Sequence, residues 1–583
     1  DPKTDAVVAN VSVEAMPDVP PQLTRLRVSP DNRHVVMSFH SSGQVAVFDT
    51  SDLRRQHVFA TGQGPMGIAF QDSGGKAFVA NHGAATEPYP KPVEHCGVCR
   101  YWKRCEDRRR EDDHLALVAG ITRRHRDRLG LAQVERLEEL GKLDRERAID
   151  GIQKESLERV REQAALQLRG RQEQRALYEL LPRETPGVGL EALPKPTPGD
   201  LFLDLEGDSF VFDGGLEYLF GLVDFGEPEL DFTIRDAPGP ARYHAYWAVN
   251  RAEEKRAFEQ VIDRVLLGRE EFKNLHLYHF GHREADALKK LSCRHATREA
   301  EVDQLLRDGV LVDLLPIVRH GFRASVESYS LKELESLHGY TRKTGLREAA
   351  RAMQLFGWWL ETGDQVMPVA DLKSQVQSYN EDDCRSTAQL RTFLERLRVE
   401  LEQKTGATLQ RLERPESKPP EGLNERQQLT RALGQRLTAD AAHPQAKARQ
   451  LLADLLEFHW REAKSGWWEH YRTAELAPAD RLEDRSCIAG LTFVKEVERI
   501  KQSAVLLYEF PEQEHSLRTT PEPCDPDTGK PAGVVELGAR HVKLKRGLRS
   551  TAPHPQALIT GKPIDSIDVD GHTRIQRKPT VYT

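Results

Sequence analysis

The sequence predicts a multidomain α/β chain centred on a mixed β-sheet flanked by helices. Three observations predict it. The chain has 583 residues, more than one hydrophobic core organises at about 150 residues per domain. Residues 196–400 alternate short apolar strands with helical periodicity, the pattern of a sheet covered by helices. The flanks differ from this centre: residues 1–88 and 486–583 carry short strands and turns, whereas 89–195 and 401–485 carry charged helical patterns. With 38% hydrophobic and 30% charged residues, the chain can build several cores under a polar surface. No run approaches ~18 apolar residues, so no membrane partner is expected. No charged-then-apolar leader precedes the body of the chain, and the seven cysteines do not form a disulfide framework, so a cytoplasmic location is expected.

Within residues 1–88, Arg27 to Asn32 reads as a strand end and a turn, and His34–Phe39 and Val45–Asp49 alternate as strands. Gly62–Phe70 and Lys76–Ala80 repeat the pattern. The prolines of Glu87 to Pro92 mark a boundary. Cys96, Cys99 and Cys105 then crowd together. With His95 they offer a zinc-type ligand set, although adjacent His95 and Cys96 are awkward for one ion, and free thiols are the plain alternative. From Asp112 to Leu181 apolar residues recur at helical spacing, as in Leu115, Val118, Ile121 and Leu137, Leu140, Leu143. The phrase VAGITRRHRDRLGLAQVERLEELG is similar to a helix-hairpin-helix, which offers backbone N–H groups to a phosphate; an ordinary helical connector is the competing reading. Pro182–Pro198 reads as a linker. Residues 401–485 are expected to be a helical linker with a proline-rich start at Pro415–Pro420, and 486–583 a small β-barrel with a basic strand at His541–Arg546. The net charge is −7, yet basic runs at Arg108–Arg110, Arg123–Arg128 and Lys543–Arg549 suit a phosphate backbone locally. Solvated helix faces explain such runs equally well.

The chemistry concentrates in residues 196–400. In LFLDLEGD, strand alternation puts Leu201, Leu203 and Leu205 on one face and Asp204 and Glu206 on the other. Two acids above an apolar underside are costly to bury unless a cation neutralises them. In YNEDDC, Tyr379 and Asp383 are four apart and share a helix face. A carboxylate there can hold a metal, and a neighbouring phenol can orient a water. Between these phrases, Leu275–Phe280 reads as a strand and Glu284 opens a helix, with Asp286 as a nearby alternative acid. A carboxylate at a helix start is also favoured by the helix dipole alone.

The order Asp-x-Glu, acid, Tyr-x-x-x-Asp resembles the DEDD exonuclease superfamily of the ribonuclease H-like fold, in its tyrosine subtype. The resemblance implies that Asp204, Glu206, Glu284 and Asp383 bind two Mg2+ or Mn2+ ions and that Tyr379 positions the nucleophilic water. Glu284 departs from the superfamily's usual aspartate. The phrases PVEHCGVCRYWKRC, GGLEYLFGLV, RAEEKRAFE, ASVESYSLKELE, EFHWREAKSGWWEHY and APHPQALI resemble a bacterial RecB-like nuclease family, over about residues 85–575. That family joins such a domain to a helicase motor, so a helicase partner, or a helicase domain missing from this chain, is implied. In it, Cys96, Cys99 and Cys105 would be three ligands of a 4Fe–4S cluster, which needs four thiolates, and residues 1–95 hold no other cysteine. An intact cluster is therefore not expected. VSPDNRHVVMSF, GQVAVFDTSD, GPMGIAF and KAFVANHG resemble blades of a YVTN-type β-propeller, covering one to two blades where about four or more close a ring.

No G-x-x-x-x-G-K-S/T phrase is present, so ATP hydrolysis is not expected. The tryptophan pairs Trp358-Trp359 and Trp467-Trp468 suit a core better than a base-stacking platform. The reading that follows is a metal-dependent 3′–5′ exonuclease acting on nucleic acid, with single-stranded DNA favoured. The rival is a catalytically inactive nucleic-acid-binding scaffold of a repair or defence complex.

Overall fold

The structure, a computed structural model, describes residues 23–39, 44–51, 56–61, 65–70, 77–81, 89–93, 96, 99, 101–182, 186–225, 241–363, 367–411, 421–456, 458–518 and 522–563. They fall into two compact units, residues 1–109 and 110–583. In the first, β1 (Leu23–Val28), β2 (His34–Phe39), β3 (Gln44–Asp49) and β4 (Gln56–Ala60) pair in chain order as an antiparallel meander. β5 (Pro65–Phe70) and β6 (Ala77–Asn81) form a separate hairpin. Phe39, Ala46 and Phe48 make the small core that the strand alternation requires. No ring of blades closes among the described residues. Gly62–Gly64, Lys76, Glu87-Pro88 and His95 lie outside them. The helix α1 (Trp102–Glu111) begins after Cys99 and contains Cys105.

The second unit opens with α2 (Arg123–Leu131), α3 (Leu137–Gly141) and α4 (Lys154–Glu173), packed around Leu115, Leu129, Leu137, Leu140, Leu157 and Val160. Thr122 caps α2 reciprocally: its hydroxyl accepts from the His125 N–H, and His125 Nδ1 accepts from the Thr122 N–H. Two of the donors that a helix-hairpin-helix would offer a phosphate are thus already used. β7 (Tyr178–Leu180) comes next. The expected linker after it is packed where the structure describes it. Leu190 and Leu193 are buried in the main core, and Arg398 donates to the Leu190 carbonyl at 2.9 Å. Apolar residues between the prolines give that stretch something to bury.

The central layer then runs β8 (Leu201–Asp208), β9 (Leu216–Asp224), β10 (Arg242–Trp247), α5 (Arg251–Glu271), β11 (Leu277–His279), α6 (Arg283–His295), α7 (Glu299–Arg307), β12 (Leu311–Asp313), α8 (Leu314–Gly321), β13 (Phe322–Ala324), α9 (Leu331–His338), α10 (Leu346–Thr362) and α11 (Val369–Thr405). The sheet order is β10-β9-β8-β11-β12. β10, β9 and β8 are antiparallel neighbours, whereas β11 runs parallel to both β8 and β12. Leu201, Leu203 and Leu205 pack with Phe258 and Ile262 of α5 and Leu288 of α6. Phe202 faces the other way, into the core that holds Leu394 and Leu397 of α11. The same alternation carries Asp204 and Glu206 to the α11 side. β13 pairs with β7, so the helical segment and the central layer share a hydrogen-bonded ribbon.

Beyond it lie α12 (Glu421–Thr438), α13 (Ala446–Leu455), α14 (Phe458–Glu475) and α15 (Pro478–Arg481); Pro415–Pro420 fall outside the described residues. The tryptophan pairs divide. Trp359 stacks on Phe356 at 5.5 Å, whereas Trp358 is exposed; Trp468 donates to Asp303 at 3.0 Å. The C-terminal strands are β14 (Cys487–Ala489), β15 (Thr492–Ile500), β16 (Ser503–Glu509), β17 (Cys524–Asp525), β18 (Lys530–Pro531), β19 (Val534–Leu537), β20 (His541–Gly547) and β21 (Ala557–Ile559). In place of the expected barrel, the described residues form two four-stranded sheets, β14-β21-β17-β18 and β15-β16-β20-β19. They share a core of Ile488, Tyr508, Val542, Leu544 and Leu558, as a sandwich does. The two-residue strands β17 and β18 are too short to carry one sheet round to the other. No described helix is long and apolar enough to cross a membrane.

Candidate active site

Asp204 sits mid-strand on β8, in register with Gly221 of β9. A Cβ at Gly221 would stand 1.6 Å from Asn380 Oδ1 and 3.0 Å from the Tyr243 ring, so the missing side chain is what lets α11 close onto the sheet. Asn380 is fully buried and fixes the strand's acid: its Nδ2 donates to Asp204 Oδ2 at 2.7 Å and to the Asp204 carbonyl at 3.1 Å. Asn380 Oδ1 in turn accepts from the Tyr243 hydroxyl at 2.8 Å.

This closure brings Asp204, Glu206 and Asp383 together, with one oxygen of each within 4.8 Å of the others. They are the one such group of potential metal-ligating side chains among the described residues. Glu206 and Asp383 are buried and Asp204 is partly buried. Burial, reinforced by the charges of Asp383, Glu206 and Glu284, raises Asp204 well above the usual carboxylate range. Burial and the Asp383 charge push Glu206 up to about 7.

Glu284 lies buried in the first turn of α6, outside the tight trio but close enough to act on Asp204 electrostatically. Burial pushes it up to about 8, with Asp313 and Glu206 adding to the effect and Arg283 opposing it. Its Oε2 is buried without a hydrogen-bond partner. His279 Nδ1 stands 3.8 Å away, donates its proton to the Gly281 carbonyl at 2.7 Å, and is driven by burial toward the neutral form. Asp286, the alternative acid, is exposed and pairs with Lys289 at 3.2 Å, so it takes no part in the site.

Tyr379 is buried one helical turn before Asp383. Burial and the Asp383, Glu206 and Asp204 charges raise its pKa, so the phenol keeps its proton. Lys332 Nζ stands 4.9 Å, and the Arg342 guanidinium 5.4 Å, from the ring centroid. Arg342 donates to Asp383 Oδ1 at 2.5 Å and to Glu335 at 2.6 and 3.0 Å. The loop bearing Arg342 is docked by Asp382, which accepts from the Tyr340 hydroxyl at 2.9 Å and from the Lys343 and Thr344 N–H groups at 2.9 and 3.1 Å.

The turn after β8 is clamped from behind. Glu254 of α5, fully buried, accepts from the Glu217 N–H at 2.8 Å, His295 at 2.8 Å, Arg294 at 2.9 Å and Arg251 at 3.0 Å. Arg251 and Arg294 also donate to carbonyls of the turn at Asp213, Gly214 and Gly215.

A divalent cation fits this donor set. The donors are all hard oxygens, burial and neighbouring charge raise the pKa of Asp204 and Glu206, and one buried carboxylate oxygen beside them has no partner. Cys96, Cys99 and Cys105 differ: each is half-buried and free, and they form no such group among the described residues.

Sequence reasoning identified Asp204, Glu206 and Asp383, which the fold brings together, and Tyr379 and Glu284 beside them. It missed Asn380, Asp382, Arg342 and Gly221. A glycine inside the apolar strand LEYLFGLVD was the available signal, since such a glycine marks close backbone approach. Arg342 carried no local signal.

Compared with known proteins, residues 201–395 match a family model described as RNase_H superfamily. That span starts with β8, ends within α11, and covers about one third of the chain. No curated protein and no solved structure matches. Residues 201–395 are therefore similar to the RNase H superfamily, with the acidic trio on the first strand and the last helix of the matched span.

Proposed function

We propose that this domain hydrolyses phosphodiester bonds of nucleic acid as a DEDD-type 3′–5′ exonuclease, with single-stranded DNA as its substrate. In this reading Asp204, Glu206, Glu284 and Asp383 hold two Mg2+ or Mn2+ ions. The observation that carries it is the trio of carboxylates within 4.8 Å, two of them buried, at the junction of β8 and α11. Bound divalent ions supply charge neutralisation at the scissile phosphate and acidify an attacking water.

The chain's own groups do the rest. Asn380 keeps Asp204 in one orientation. Arg342 fixes the position of Asp383 by donating to its Oδ1 at 2.5 Å. Tyr379, kept protonated, has a hydroxyl with which to orient the water. Lys332 is exposed beside Tyr379 and acts on Glu206 electrostatically, a suitable place for a cation to meet substrate phosphate. The RecB-like resemblance adds a helicase partner to this reading and supplies its polarity.

End-labelled single-stranded DNA incubated with Mn2+, and then with EDTA, tests the proposal. Nucleotide release that EDTA abolishes is expected. A retained gel shift with no release under either condition would replace the enzyme by a nucleic-acid-binding scaffold.

A further inference from the structure

A second concentration of charge lies between the helical segment and the C-terminal sandwich, in a cleft of about 660 Å3. Its lining includes Arg124 and Arg128 of α2, Gly151 and Gln153 of the following loop, and Glu512 and Arg540 of the sandwich. Arg124 and Arg128 are four apart and so share a helix face. Glu512 accepts from Arg128 at 3.0 Å and also from Arg540. Arg124 donates one nitrogen to the Gly151 carbonyl at 2.8 Å, while its Nε is buried with no partner. Gly151 has φ +77°, and a Cβ there would come within 2.8 Å of Arg128 Nε, so the loop lies directly against that guanidinium.

Three guanidiniums thus gather around one carboxylate. Burial lowers the Arg124 pKa, the nearby Arg128 and Arg540 charges lower it further, and Glu512 alone opposes them. Asp150 and Glu509 also line the cleft, but both are exposed and make no ion pair with these arginines. By formal charge the three arginines are matched by Glu512, Asp150 and Glu509, but of these acids only Glu512 pairs with the arginines, and Arg124 Nε makes no hydrogen bond. Guanidinium forks match phosphate oxygens, and a cleft of this volume has room for a stretch of backbone.

We propose that this cleft binds the phosphodiester backbone of a nucleic acid strand, as an exosite that shares no residue with the acidic site. Glu512 then stands where a phosphate would, holding the arginines when no strand is bound. The inference rests on nucleic acid being the ligand of the nuclease-type domain, but not on hydrolysis.

The test uses the full chain and a fluorescent single-stranded oligonucleotide in EDTA, which arrests metal-dependent cleavage. Arg124→Gln with Arg540→Gln should weaken binding roughly tenfold and flatten the plot of log K against log salt by about 0.7 per lost contact. Glu512→Gln should act in the opposite direction, tightening binding and steepening the slope, which damage to the fold cannot do. Slopes that stay at the wild-type value in both variants overturn the exosite. So does displacement of the strand by a mononucleotide as effectively as by unlabelled polymer at equal phosphate, which would assign the cleft to a free phosphate ester. Cleavage is read in parallel with Mn2+. Cleavage with unchanged slopes removes only the exosite; shifted slopes without cleavage remove only the nuclease reading. A wild-type chain that binds no strand in EDTA overturns the exosite, and cleavage with Mn2+ then decides the nuclease reading by itself.

Discussion

The acidic trio and the cysteine trio are opposites. Asp204 and Glu206 lie far from Asp383 in the sequence, yet their oxygens meet within 4.8 Å. Cys96, Cys99 and Cys105 lie close in the sequence, yet no ligand group assembles from them among the described residues. The difference is the scaffold. The carboxylates stand on an eight-residue strand and a 37-residue helix, bound together by Asn380 and by Gly221's missing side chain. Such elements can hold like charges together against their repulsion. Cys105 lies in a short, charged helix with no buried residue of its own, and Cys96 and Cys99 precede that helix. Among the described residues, rigid elements that converge assemble a ligand group where proximity in sequence alone does not.

Five experiments break or sharpen that contrast. The largest effect is expected from Asp204→Asn, which removes a charge from the trio while keeping its shape. Metal-dependent release of nucleotides should fall by roughly 10²–10³-fold or more, with far-UV circular dichroism unchanged. Wild-type cleavage by this variant would dissociate the trio from the chemistry.

Next is Arg342→Ala. Arg342, Glu335 and Asp383 are all nearly buried, so deleting the cation leaves two uncompensated carboxylates, a loss of about 3–5 kcal/mol in urea unfolding. Mn2+ should restore part of it. A loss below about 1 kcal/mol, or no response to Mn2+, would show that Arg342 does not govern Asp383.

Gly221→Ala comes third. Its Cβ must displace Asn380, so about 1–3 kcal/mol of stability should go, and activity should fall further than stability does. Full activity would mean that Asn380 is not what holds Asp204.

The fourth concerns pH without divalent ions. Glu206 and Glu284 ordinarily titrate near 4.5 and are raised to about 7 and about 8. Raised carboxylates favour the protonated form in the fold, so their contribution is complete below about 4.5 and is lost as pH climbs through about 7 to 8. Tm in EDTA should fall across that window, and Mn2+ should flatten the fall. A Tm that rises there would reverse the sign of the argument. The smallest effect is expected on the cysteine side. Replacing Cys96, Cys99 and Cys105 together by serine should shift stability by no more than about 0.5 kcal/mol. A larger loss, reproduced by a zinc chelator on the wild type, would make the two trios alike after all.

The central layer was legible because its alternation is strict. Leu201, Leu203 and Leu205 fixed which face of β8 carries Asp204 and Glu206, and the i, i+4 spacing placed Tyr379 with Asp383. Glu284 was legible as a helix-start acid, though not its orphaned oxygen. Partners supplied across long sequence separations were not legible: Arg342 comes from a loop whose docking depends on Asp382, and nothing local in that loop specifies it. The packed course of the segment after β7 was hidden because prolines signal an irregular path, and packing of that path depends on distant partners such as Arg398. A closed barrel at the C-terminal end is not shown among the described residues, since strand pattern reports alternation and not closure.

The Glu254 clamp has a consequence for metal choice. Helix α6 bears Glu284 in its first turn and Arg294 and His295 in its last, and the latter two are bolted through Glu254 to the turn that ends Glu206's strand. The helix thus works as a strut: its far end is moored, and its near end sets how far one acid stands from another. On the two-ion reading, a residue that never meets an ion would help to decide which ionic radius the pair of acids accepts.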